Sequence, residues 1–239
     1  MQLEELQAAF QERGLQKYRA AQVYRWLHQR GAASFEEMTD LSKPLRAALD
    51  ESFELRNAEI AIRRVSKLDG TVKYLFRLND GETVESVLMQ YKHGYSICIS
   101  TQVGCRMGCT FCATGKSGFS RNLTAGEMLA EIQTAQKDLG TRISNVVLMG
   151  MGEPLDNYQN VLRFLGLVSS ENGLNIGMRH ISLSTCGLVD RIYDLADRKL
   201  QLTLSVSLHA PNDEIRSRTM PVNKKWNVEA LLKSCRYYS

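Results

Sequence analysis

The chain has 239 residues, 44% of them hydrophobic and 23% charged, with a formal net charge of +4. That is enough for one large domain, or for a small domain beside a medium one, in an ordinary globular composition. No apolar run reaches the roughly eighteen residues of a membrane-spanning helix, and Met1-Gln2-Leu3-Glu4-Glu5 lacks the apolar centre of a secretory signal. The sequence thus reads as cytosolic, a compartment where its six cysteines point to metal or catalysis before disulfides. The mild basic excess permits a nucleic-acid partner without arguing for one.

Residues 1–57 read as a small three-helix module. Leu3, Leu6 and Phe10 fall at helical spacing, as do Val23, Trp26 and Leu27 before the Gly31 break. A third helix is predicted after Ser42, with Pro44 in its first turn and Leu45, Leu49 and Phe53 inward. Over 58–95 the period changes to two. Val72, Tyr74, Phe76 and Leu78 alternate with polar partners between turns at Asp69-Gly70 and Asn79-Asp80-Gly81, and Glu82–Met89 supplies the next strand. This predicts an antiparallel β meander. From 96 to 239 strands and helices alternate. Strands are predicted at Asn145–Met149, His180–Ser184 and Leu202–Leu208, and helices at Ala125–Leu139, Tyr158–Ser169, Val189–Arg198 and Val228–Tyr238. With the strand entering the cysteine cluster this makes about four βα units, an α/β fold built on a partial barrel rather than the eight-unit barrel of about 250 residues.

The sharpest signal is Cys105-Arg106-Met107-Gly108-Cys109-Thr110-Phe111-Cys112, a C-x₃-C-x₂-C spacing. At this cysteine content a chance match is expected at about 0.004 per chain, which sets coincidence aside. Structural zinc takes four protein ligands, and the motif offers three, so a zinc site needs a further residue from elsewhere. Three thiolates on a [4Fe–4S] cubane instead leave one iron open for a substrate or cofactor, unlike the usual four-cysteine ligation.

The cysteine spacing, with Phe111 before the last cysteine, resembles the signature of the radical S-adenosylmethionine (SAM) superfamily. Further segments narrow it. Ser100-Thr101-Gln102-Val103-Gly104, Gly118-Phe119-Ser120-Arg121-Asn122-Leu123, Met149-Gly150-Met151-Gly152-Glu153-Pro154, Ser182-Leu183-Ser184-Thr185-Cys186-Gly187 and Ser205-Val206-Ser207-Leu208-His209-Ala210-Pro211-Asn212 follow in that order. Together with the helical module they are similar to the RlmN family of RNA adenine C2-methyltransferases. The resemblance implies a (β/α)6 radical SAM barrel and methylation of adenine in 23S rRNA and tRNA through a methyl-cysteine. It implies a [4Fe–4S] cluster on Cys105, Cys109 and Cys112, with SAM chelated to the open iron. An electron donor such as flavodoxin or ferredoxin would reduce the cluster. The Cfr family, which methylates adenine C8, shares this logic; the helical module and the motif wording favour C2. A non-catalytic cluster-binding fragment is the rival from another class.

The resemblance also assigns the remaining residues. Gly152 and Glu153 correspond to the segment holding the methionine end of SAM, Ser184 to a SAM contact, and Ser207, Leu208 and His209 to the adenosine side. Read alone, these are a turn, a cap and a histidine beside a strand. Cys98 matches a thiol that releases the product by forming a disulfide with a second cysteine, and Glu85 matches a proton acceptor. Read alone, they are a buried strand cysteine and a solvated carboxylate. Arg63, Arg64, Lys67, Lys73, Arg77 and Lys92 are the nearest thing to a phosphate-binding cluster, and Tyr74 and Tyr91 are candidates to stack on bases. Cys235 does not match the methyl-carrying position, so the chain to Ser239 is expected to be C-terminally truncated and inactive alone. Its last strand would be an open edge. Nothing in the sequence demands more than a monomer.

Overall fold

A computed structural model of the chain describes every residue except Arg56 and His93. Helices α1 (Leu3–Glu12), α2 (Lys17–His28) and α3 (Lys43–Ser52) form the N-terminal module. Their inward positions follow the predicted spacing: Leu6, Phe10, Val23, Tyr24 and Leu49 are buried, with Phe53 half-buried against Phe10. Pro44 stands in the first turn of α3, where its missing N–H costs no helical hydrogen bond.

The meander comprises β1 (Ala58–Val65), β2 (Val72–Leu78), β3 (Thr83–Tyr91) and β4 (Gly94–Ile99), each antiparallel to the one before. After β4 come a short strand β5 (Gln102–Gly104), a one-turn helix α4 (Ala113–Lys116) and β6 (Phe119–Asn122), with β5 and β6 paired as a separate small ribbon. Then α5 (Ala125–Leu139), β7 (Ile143–Leu148), α6 (Tyr158–Ser169), β8 (Ile181–Thr185), α7 (Val189–Asp197) and β9 (Thr203–Val206) alternate. The chain ends in α8 (Asp213–Thr219) and α9 (Val228–Tyr238).

Strands β4, β7, β8 and β9 are parallel neighbours, and the meander continues the same sheet, in the order β1-β2-β3-β4-β7-β8-β9. The four βα units are therefore those of the sequence pattern. The helical segments agree to within a residue at their ends. The strands differ more: β7 begins two residues earlier than predicted, and β9 ends at Val206 rather than Leu208. Among the described residues β9 pairs only with β8. No helix among them is long and apolar enough to cross a membrane.

The two faces of the parallel strands differ sharply. Ile97, Ile99, Val146, Leu148, Ile181 and Leu183 are each at most 1% exposed and share one core with Met128, Leu129 and Ile132 of α5 and Val161, Phe164 and Leu165 of α6. The alternate positions Cys98, Asn145, Ser182, Ser184 and Ser205 give the opposite face hydroxyl, amide and thiol groups. A sheet with an apolar outer face and a polar inner one is a sheet that lines a site.

Candidate active site

The three motif cysteines lie on the loop leaving β5, beyond the C-terminal end of β4. Cys105 is fixed by its N–H donating to Gly118 O at 2.7 Å, and Thr110 N–H donates to Thr219 O at 2.9 Å, which docks the loop on the end of α8. Gly104 makes the entry possible: its φ is +76°, and a Cβ there would collide with Gly118 O. Cys109 is buried, while Cys105 and Cys112 are half-buried. Burial pushes the Cys105 thiol up to about 11, with the charges of Glu153, Cys109 and Cys112 adding to the rise, and raises that of Cys109, with Cys112 and Glu153 adding. Thiols that resist ionising, as those of Cys105 and Cys109 do, suit a positively charged metal core, which stabilises them as thiolates. Among the described residues no three His, Cys, Asp or Glu side chains converge on a single ion. A cubane binds each thiolate through a different iron, so this donor set fits a cluster better than one zinc.

The Gly150–Glu153 loop, following β7, is laced to the segment that opens the cysteine loop. Thr101 N–H donates to Met151 O at 2.8 Å and Gly150 N–H to Ile99 O at 3.0 Å. Gln102, fully buried, accepts from Glu153 N–H at 2.8 Å and donates to Asn122 Oδ1 and Asp156 Oδ2. Gly152 adopts φ +98°, and a Cβ on it would meet the Gln102 Cβ at 2.5 Å. Glu153 is 3% exposed, and burial raises its carboxyl above the ordinary range. It accepts from Leu155 N–H at 3.0 Å and from Cys186 N–H at 2.7 Å, joining the ends of β7 and β8. Its visible task is thus to brace two loops.

Ser184 sits on β8 opposite Ser205, and the hydroxyls of Ser182 and Ser205 are 3.2 Å apart. Ser207, Leu208 and His209 lie beyond the end of β9, in the loop rather than in the strand as predicted. The chain turns there because His209 takes a left-handed φ of +53°. The turn brings the imidazole edge-on to Phe111 of the cysteine loop, with ring centroids 4.8 Å apart. Sequence reasoning missed Arg216 of α8, which is wholly buried. It donates to Cys186 O at 2.6 Å, Ser207 O at 3.3 Å, Leu208 O at 3.2 Å and Asn223 Oδ1 at 3.0 Å. Nothing in Asp213-Glu214-Ile215-Arg216-Ser217-Arg218 distinguishes this arginine from its exposed neighbour Arg218.

Cys98 faces the polar side of β4, paired with Val87 of β3 and Val147 of β7. Glu85 lies two residues along β3 from Val87, so it shares that face with Cys98 as a diagonal neighbour. Its carboxylate is half-exposed and pairs with Lys73 Nζ at 2.8 Å. Burial pushes the Cys98 thiol up to about 11. The disulfide expected of Cys98 is not formed, since all six cysteines are free. Behind this face stands a carboxylate that sequence reasoning passed over. Glu131 of α5, completely buried, accepts from Ser100 N–H at 3.0 Å and bonds the Ser86 hydroxyl.

The expected RNA-binding features fare unevenly. Tyr74 is fully buried, stacked on Phe76, and donates to Asp138 at 2.7 Å, so it cannot stack on a base. Arg63, Lys73 and Arg77 are paired with Asp138, Glu85 and Glu59 respectively. Tyr91 remains half-exposed on β3. A cleft of about 440 Å³ opens between the helical module and α5, lined by Phe10, Val23, Phe35 and Leu129, away from the cysteines.

Comparison with known proteins agrees with this geometry. The family model described as Radical SAM superfamily matches residues 99–239, and that of the Ribosomal RNA large subunit methyltransferase N-terminal domain matches residues 1–55. A curated relative from Clostridium novyi (strain NT), named "Probable dual-specificity RNA methyltransferase RlmN", is 51% identical over 236 residues, covering 99% of this chain and 69% of the relative. One of the same name from Bacillus licheniformis is 49% identical, covering 99% of this chain and 66% of its own. The crystal structure of a radical SAM methyltransferase from Sphaerobacter thermophilus superposes with a TM-score of 0.94 at 42% identity, over 100% of this chain and 71% of that one. With the thiols, the loop lacing and the polar sheet face in place, the chain belongs to the RlmN family of radical SAM methyltransferases, enzymes that work with a [4Fe–4S] cluster and S-adenosylmethionine.

Proposed function

We propose that the chain serves an RNA methyltransferase that places a methyl group on C2 of adenine in 23S rRNA and in tRNA. The observation that carries this reading is the meeting of three loops at one end of the parallel sheet: the cysteine loop, the Gly150–Glu153 loop and the turn at His209. The printed names of the relatives supply the RNA class and the dual specificity. Bound there, the cluster and SAM supply a 5′-deoxyadenosyl radical and a methyl group, chemistry suited to an electrophilic adenine carbon.

The chain's own residues have separate tasks. Cys105, Cys109 and Cys112 hold the cluster. Gly152 lets the backbone approach the methionine end of SAM, and Glu153 accepts a bond from its ammonium with lone pairs left over from the two backbone donors. Ser184, Ser207, Leu208 and His209 border the adenosine. Glu85 takes the proton from C2, and Lys73 pairs with its carboxylate at 2.8 Å. Cys98, held as a thiol by burial, releases the enzyme from the methylated base. In the same reading residues 1–57 are the accessory module, 58–95 the meander and 96–239 the catalytic part. The protein works as a cytosolic monomer and takes electrons from a flavodoxin or ferredoxin.

The test is to express the encoding gene in a host without its own enzyme and to identify methyladenosines in digested ribosomal and transfer RNA by mass spectrometry. 2-Methyladenosine in both pools is the expected result. 8-Methyladenosine would assign the activity to the Cfr class, and neither product would defeat the reading.

A further inference from the structure

Buried arginines are ordinarily paired with carboxylates, because an isolated charge out of water is costly. Arg216 is 0% exposed, and among the described residues no carboxylate lies within ion-pairing distance of it. Its four hydrogen-bond partners are three main-chain carbonyls and the Asn223 amide, all neutral. Asp213, on the same helix, is exposed and is engaged by Asn223 Nδ2 at 2.9 Å and Val228 N–H at 2.7 Å. Glu153 reaches the opposite side of the Cys186 peptide, accepting from its N–H while Arg216 binds its carbonyl, and the two side chains do not touch.

The anion that balances this cation is therefore to be sought nearby, and the cysteine loop supplies it. The helix carrying Arg216 is docked on that loop through Thr110 N–H and Thr219 O, and Pro221 packs over Gly108. Besides its neighbour Cys186, whose carbonyl it binds, Arg216 lies within reach of the charges of Cys109 and, less strongly, of Asp213. A cubane held by three thiolates is a net anion and becomes more negative on reduction, and net charge is one of the factors that set its potential.

We propose that Arg216 is the buried counter-charge of the iron–sulfur cluster, making its one-electron reduction easier, and a positioning residue that ties the loop ends after β8 and β9 to the cluster loop. The inference rests on the cluster assignment made above. It explains why an unpaired guanidinium is kept in the core. It also explains why the charge sits on the element that closes over the cysteines: the same side chain that fixes Cys186, Ser207 and Leu208 sets the field at Cys109.

The test is a reductive titration of the iron-loaded chain, followed by electron paramagnetic resonance, with iron content measured in parallel and no RNA present. Arg216→Gln is expected to bind iron and to be at least tenfold harder to reduce, a shift of about 59 mV to more negative potential for a one-electron couple. Arg216→Lys, which keeps the charge and loses the planar fork, should stay within threefold of the parent. An Arg216→Gln protein that holds its iron and titrates at the parent's potential overturns the proposal. So does a Lys variant as hard to reduce as the Gln variant, because hydrogen bonds rather than charge would then be responsible. If Arg216→Gln holds no iron, Asn223→Asp decides: it leaves the arginine in place and sets a carboxylate against its Nη1, and an unchanged potential there again overturns the idea. A parent chain that binds no iron sinks the cluster assignment itself, whereas absence of 2-methyladenosine in cells leaves this result untouched.

Discussion

Glu131 sits in an environment far from that of a carboxyl in water. Burial pushes its carboxyl from an ordinary value of 4.5 up to about 8, and Oε1 has no partner, so at neutral pH the proton stays on. A group whose folded pKa is raised binds more protons folded than unfolded. Its contribution to stability is therefore complete below about 4.5 and is lost as pH rises through about 8. The stake is on the order of a few kcal/mol. Glu131→Gln should remove this part of the pH dependence, so that thermal unfolding midpoints fall less between pH 6 and 9 than in the parent. A variant that tracks the parent across that window would show that Glu131 does not titrate there. Gly152 offers a second check. Gly152→Ala would have to hold a left-handed backbone and displace Gln102, a loss of about 2–4 kcal/mol with weakened SAM binding, read by unfolding and by equilibrium dialysis. The three motif cysteines stand out in the sequence because few side chains can hold a cluster of the kind proposed and their C-x₃-C-x₂-C spacing is fixed. Arg216 and Glu131 do not, because what sets them apart is burial, and a charged residue on a helix gives no hint of it.

The elements that repeat were the easiest to anticipate. Helix α5 begins at Thr124, whose hydroxyl and Glu127 cap each other, and ends at Gly140 with φ +70°, so both ends are marked in sequence. The β5–β6 ribbon escaped notice: strands of three and four residues are too short for a period, and their hydrogen bonds are made across the cysteine loop. The His209 turn escaped because a histidine with positive φ carries no sequence mark. Besides main-chain bonds to Met151 O, individual side chains tie the ribbon in place, which makes the element scale testable. Asn157, 2% exposed, donates to Thr101 O at 2.8 Å and to Leu123 O at 2.7 Å, pinning the residues that enter and leave the ribbon, side by side at one end of it, to the start of α6. Asn157→Ala strands the buried Leu123 carbonyl, costing about 1–3 kcal/mol, and leaves Thr101 O with its bond from Leu123 N–H alone. Iron release to a chelator should quicken along with the loss of stability. A variant that is destabilised but keeps its iron as firmly as the parent would separate the ribbon from the cluster.

At the scale of the whole molecule the question is whether the helical module is a passenger. Its sequence reads as too poor in apolar surface to stand alone, and the structure shows where the missing surface is found. The buried residues of α1, α2 and α3 join those of the sheet and of α5 and α6 in one contiguous core. Polar contacts add to it: Gln133 of α5 donates to Leu27 O, and Arg163 of α6 pairs with Glu5 at 2.6 Å. The ion pair is half-exposed and contributes at most about 1 kcal/mol, so the core carries the attachment. Phe10 is wholly buried in it, and Phe10→Ala should cost about 3–5 kcal/mol. If the core is one cooperative unit, that loss falls on the entire molecule. Helix content followed by far-ultraviolet circular dichroism and the tertiary signal of the tyrosines in the near ultraviolet should then shift together in denaturant, in a single transition. An early transition confined to part of the helix signal, with the rest unfolding at the parent's midpoint, would mean that the module melts by itself, and the cleft between it and α5 would then be a seam between two folding units.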